Sequence, residues 1–150
     1  MIDGRILNIN KPEIFVFGSN LAGIHGRGAA AWAYKHYGAK KGVGKGLTGQ
    51  AYALPTKDEN LKTLPLSEIK KYADEFILFA KEHTIYNFIL TKVGCGLAGY
   101  TTLAIAPLFK KATELNNVKI PYEFQSIYDA EKAFSVSPNK PKNRPAPKME

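Results

Sequence analysis

The chain has 150 residues, 45% of them hydrophobic and 11% aromatic, which suffices for one buried core and is too short for two ordinary domains. Its formal net charge of +8 attracts phosphates, and its single cysteine, Cys95, excludes an internal disulfide framework. No His, Cys or acidic cluster has zinc-ligand spacing, no cofactor is called for, and no stretch approaches the roughly 20 apolar residues that span a bilayer. The expected setting is the reducing cytoplasm, without a membrane.

In chain order, Glu13 to Phe17 (EIFVF) reads as a buried strand closed by Gly18, followed by the glycine-rich loop GSNLAGIHGRG from Gly18 to Gly28. Ala29 to Tyr37 reads as a helix stopped by Gly38. Gly42 to Gly49 looks too glycine-rich for a regular element, and Gln50 to Leu54, ended by Pro55, reads as a second strand. Ser67 is the expected N-cap of a helix to about His83, in which Ile69, Tyr72, Ala73, Phe76, Ile77 and Ala80 recur at helical spacing. Tyr86 to Leu90 (YNFIL) is a third strand and leads into a second glycine loop, GCGLAG from Gly94 to Gly99. Thr101 or Thr102 caps a further helix to about Leu115, with Pro107 in its first turns or kinking it, and Val118 to Ile120 is a short fourth strand. Beyond residue 121 the pattern supports no assignment.

Strands alternating with helices indicate an α/β fold with a mostly parallel sheet, in which ligands bind beyond the carboxyl ends of the strands. Residues 1–134 are expected to form this domain. Residues 135–150 hold four of the nine prolines and contribute +3 of the charge, the composition of a basic disordered tail. Both glycine loops leave strand ends, where backbone N–H groups and a helix start can cradle a phosphate. Neither loop is a Walker fingerprint, and GVGKGL fails that pattern because Lys45 is followed by Gly46. GCGLAG has the spacing GxGxxG, but Thr91, Lys92 and Val93 separate it from the strand YNFIL, whereas the dinucleotide fingerprint follows its strand directly.

The loops carry a resemblance. NLAGIHGRGAAAWA, in which Asn20 lies six residues before Gly26, resembles the macro-domain segment whose glycine cluster opens a helix. VGCGLAGY after YNFIL resembles the macro-domain phosphate loop, and its GCGL is especially similar to the terminal ADP-ribose protein glycohydrolase branch. The resemblance spans roughly residues 13 to 121. It implies a three-layer macro-type fold that binds ADP-ribose or a related NAD-derived nucleotide, a cyclic ADP-ribose signal included, either free or attached to a macromolecule.

By position, the resemblance gives Asn20 the distal ribose with Gly26 and Gly28 behind it, and gives Gly94, Gly96 and Gly99, with Cys95, Leu97 and Ala98 between them, the diphosphate. Thr56-Lys57 matches the branch's nucleophilic lysine, but Ala98 stands where that branch has an Asp, and Ala30 where another hydrolytic branch has one.

Lys57 would have to lose its proton to attack a sugar carbon, and its neighbours Asp58 and Glu59 favour the charged form; the alternative is a solvated loop lysine. His25 is a candidate acid, base or phosphate donor, or a histidine that orients the turn. Cys95 reads better as a small buried residue than as a thiolate, and Trp32 and Tyr34 better as helix residues than as a base-stacking platform. Asp3, Asn8 and Asn10 offer no clear register for an adenine site. The missing acids favour binding over turnover. Two rivals remain: a hydrolase using Lys57, and a nucleic-acid-binding module gripping phosphates through Lys40, Lys41, Lys45 and the tail.

Overall fold

The computed structural model describes residues 10–135, so all of the proposed tail but Ser135 lies outside the described residues, as do Asp3 and Asn8. Its elements are β1 (Glu13–Asn20), α1 (Gly28–His36), β2 (Gly46–Thr48), β3 (Ala51–Lys57), α2 (Leu66–Glu82), β4 (Asn87–Leu90), α3 (Thr102–Ile105), a 3₁₀ segment (Ala106–Glu114), β5 (Val118–Lys119) and α4 (Tyr122–Ser135). One five-stranded sheet runs in the order β2-β3-β1-β4-β5. All its pairings are parallel except that of β2 with β3. No helix among the described residues is long and apolar enough to cross a membrane.

The central strands are apolar on both faces, as a covered parallel sheet requires. On one face Ile14, Val16, Tyr52, Leu54, Phe88 and Leu90 meet α2, the 3₁₀ segment and α4. On the other, Phe17, Ala51 and Ala53 meet Ala30 and Ala33 of α1. The result is the expected α/β arrangement of helix, sheet and helix layers. The apolar stripe of α2 behaves as its spacing dictates: Ile69, Ala73, Phe76 and Ala80 are buried, and Tyr72 and Ile77 are half-buried against the same core.

Several boundaries differ from the sequence reading. β1 does not stop at Gly18 but continues to Asn20, because Gly18 and Ser19 pair with Leu54 and Pro55 of β3. Pro55 sits inside β3 instead of ending it. β2 covers only Ala51 to Ala53, so the outer side of β3 at Pro55 needs no ladder donor. The cap of α2 is Pro65, not Ser67, and makes no side-chain bond. Thr101 does cap α3, its hydroxyl accepting from Ala104 N–H at 3.2 Å. The helix beyond it tightens into the 3₁₀ segment, with Pro107 in its first turn.

The Gly42 to Gly49 stretch is not irregular throughout, since it contains β2. The segment from Gly38 to Thr48 packs tightly under the first glycine loop. Gly42 N–H donates to Gly23 O at 2.9 Å, and Ser19 Oγ donates to Gly44 O at 2.6 Å. A Cβ on Gly44 would lie 2.2 Å from Asn20 O, and one on Gly23 would lie 2.3 Å from the carbonyl carbon of Gly42. Gly44 and Gly23 therefore serve close backbone approach, whereas Gly42 and Gly46 have open space around them and left-handed φ of +88° and +85°.

Candidate ligand-binding site

The connections of β1 and β4 leave in opposite directions, β1 toward β3 and β4 toward β5. Adjacent parallel strands that part in this way open a crevice at their carboxyl ends. A cavity of about 630 Å³ lies there, lined by both glycine loops, the start of α1 and the end of β3. Of the residues singled out from the sequence, Asn20, Gly26, Gly28, Lys57, Gly94, Cys95, Gly96, Leu97 and Ala98 line it, and His25 and Gly99 do not.

Loop conformation explains the second glycine run. Gly94 has φ +81° and Gly99 φ +90°, so both occupy the left-handed region. Cys95 N–H donates to Lys92 O, and Tyr100 N–H to Gly94 O. The amides of Gly96, Leu97 and Ala98 have no partner among the described residues. Across the cavity, α1 begins with no side-chain cap and no acid in its first turn. The N–H groups of Gly28, Ala29 and Ala30, all lining residues, are among the orphan donors of that helix start.

Among the described residues, the cations at the cavity are Arg27, Lys57 and Lys92, and no carboxylate lines it. Lys92 also lies 3.5 Å from Glu123. Asp58, next to Lys57 in the chain, is occupied as a turn former: its Oδ1 accepts from Asn60 and Lys62 N–H at 2.8 and 3.0 Å. Thr63 Oγ1 donates to Ala98 O at 3.0 Å, which ties this turn to the second loop. Burial raises the pKa of the Cys95 thiol; Lys92 partly opposes this and Glu123 adds to it, so the thiol is held protonated.

One expected role needs correction, and another is narrowed. His25 is buried outside the cavity, only 7% exposed, with its ring edge against Phe17. Its Nε2 lies 2.9 Å from Lys40 O, which can only accept, so Nε2 carries the proton; Nδ1 is buried without a partner among the described residues. The imidazole braces the loop and does not reach a cavity ligand as an acid, a base or a phosphate donor. Asn20 lines the cavity, but its amide closes the loop on itself. Nδ2 donates to Ile24 O at 2.9 Å and Oδ1 accepts from Ile24 N–H at 3.0 Å, leaving one N–H and one lone pair for a sugar.

Arg27 and Lys92 were legible but passed over: Arg27 stands between Gly26 and Gly28, and Lys92 follows the third strand directly. Ile24 and Leu61, both exposed and both lining the cavity, carried no sequence signal. Leu61 is the one described non-glycine residue with positive φ, at 65°. No group of three or more His, Cys, Asp or Glu that could hold a metal occurs among the described residues. Comparisons with protein-family models, curated proteins and solved structures give no match to this chain.

Proposed function

We propose that the cavity binds ADP-ribose or a related NAD-derived nucleotide in the manner of a macro domain. One observation carries the reading: two groups of backbone amides without a partner among the described residues, at Gly28–Ala30 and at Gly96–Ala98, belong to one cavity whose described charged residues are all cationic. Backbone donors at a helix start together with a second donor loop suit a diphosphate, which offers acceptors on both phosphates and a charge spread between them. A volume of about 630 Å³ falls within the usual range for small-molecule sites. The cytoplasm, which keeps a lone thiol reduced, fits such a ligand.

Turnover is the second reading, favoured by the position of Lys57 in the lining. A hydrolase also needs a group to manage protons at the sugar, and among the described residues the lining supplies no carboxylate and no imidazole. Binding without hydrolysis is therefore preferred. Calorimetry against ADP-ribose, cyclic ADP-ribose isomers, NAD and AMP tests the assignment. At least one diphosphate-containing member should bind more tightly than AMP, and failure of the whole panel would remove the reading.

A further inference from the structure

The charges of this chain are sorted by layer. Between Ile14 and Lys57 the sequence has no Asp or Glu, yet it carries Arg27, Lys35, Lys40, Lys41, Lys45 and Lys57. That stretch builds β1 from Ile14 on, α1, β2 and β3, so among the described residues the layer formed by α1 and the segment after it is free of acid. The opposite layer is mixed, with Glu68, Asp74, Glu75 and Glu82 on α2 and Glu123, Asp129 and Glu131 on α4. Lys45 reaches across the sheet edge to Glu75 at 3.6 Å. Arg27, Lys35, Lys40 and Lys41 have no acidic partner among the described residues.

The same layer exposes aromatic rings. Trp32 is 53% exposed and lies against His36 with centroids 4.0 Å apart; Tyr34 is 44% exposed, with Lys41 Nζ 5.3 Å from its ring centre. The exposed residues of α1 are Gly28, Ala29, Trp32, Tyr34, Lys35 and His36, without a Leu, Ile, Val, Met or Phe. A lipid surface is met by a broad aliphatic face, and the centre of a protein interface is depleted in lysine. Lysines and arginine interleaved with exposed rings match single-stranded nucleic acid, whose phosphates pair with cations while its bases stack.

We propose that the α1 layer is a docking face for single-stranded nucleic acid, with a base stacked on Trp32 and phosphates held by Arg27, Lys35, Lys40 and Lys41. The face is continuous with the cavity, because Gly28 lines the cavity and Trp32 follows one turn later on the same side of α1. The docking face does not depend on what the cavity holds.

Trp32 is the only tryptophan in the chain, so tryptophan emission, excited where tyrosine does not absorb, reports on this face alone. Titrating the full chain with oligothymidylate should quench that emission. The affinity should fall with salt at a log–log slope of about −2 to −3, as three or four phosphate contacts to a single strand imply. By anisotropy of a labelled oligothymidylate, the Lys40→Glu/Lys41→Glu pair and Trp32→Ala should each weaken binding roughly tenfold. Trp32→Phe should retain most of the affinity, and Lys111→Glu, on the opposite layer, should stay within about twofold. All four are exposed positions, and thermal melts confirm that each variant is folded. Three results would overturn the proposal: no quenching, binding insensitive to the α1-layer variants, or equal loss in Lys111→Glu. Emission that shifts with anionic phospholipid vesicles and not with oligothymidylate would assign the face to a membrane instead.

Discussion

Gly26 and Gly96 differ from the cavity glycines that the backbone demands. Neither has a left-handed φ, and a Cβ on either would meet nothing within 4 Å, so folding alone does not require glycine there. Gly28 and Gly94, by contrast, have φ +61° and +81°. Gly96→Ala should leave the melting temperature unchanged or slightly higher, since alanine narrows the unfolded ensemble by about 0.4–1 kcal/mol. ADP-ribose affinity should nevertheless fall. Gly96→Glu adds bulk and a negative charge beside the proposed diphosphate and should cost several kcal/mol of binding by calorimetry; unchanged affinity there would sink the two-loop cavity. Lys57→Ala should shift affinity by about 1 kcal/mol or less if the chain only binds. ADP-ribose release by the wild type that vanishes in Lys57→Ala would establish a hydrolase. Gly23→Ala should act on the fold instead, because its Cβ would strike the Gly42 backbone, and a marked drop in melting temperature would register this.

Among the elements, α2 carries the clearest energetic signature. Phe76 is fully buried and meets the rings of Tyr52, Phe88 and Phe109, so Phe76→Ala should cost about 3–5 kcal/mol in denaturant unfolding. The far end of α2 is held by buried Asn117, whose Nδ2 donates to Ala80 O at 3.0 Å and Tyr86 O at 3.1 Å. α2 was legible because its apolar residues return at helical spacing, and β1, β3 and β4 because they are short apolar runs. β2 was not, since what orders Gly46–Thr48 is non-local: pairing with β3, while Ser19 Oγ donating to Gly44 O and Gly42 N–H donating to Gly23 O anchor the residues just before it. α4 had a local signal that went unread. Phe124 and Tyr128 recur at helical spacing after Pro121, and both are buried. At the site, glycine placement in the loops was readable from strand ends. The fate of His25 and Asn20 was not, because it depends on which carbonyl each side chain meets after folding.

At the scale of the whole molecule, the core contains two phenols whose ionisation limits alkaline stability. Burial, with a smaller contribution from Glu75, pushes Tyr52 from 10.0 up to about 12, and burial with Glu131 pushes Tyr128 up as well. The unfolded chain therefore gives up the Tyr52 proton first as pH rises. The stability from its neutral phenol is complete below about pH 10 and is lost progressively toward about pH 12. Denaturant midpoints should fall across that window, and Tyr52→Phe should flatten the fall. The ends of the sheet have another consequence. β2 spans three residues and β5 two, and beyond β2 the outer side of β3 carries Pro55, without an N–H, and Thr56, whose carbonyl accepts from Leu64 N–H at 2.9 Å. Among the described residues a foreign strand finds almost no run of free backbone groups at either rim, so this sheet is a poor template for edge-to-edge growth into fibrils even at high concentration.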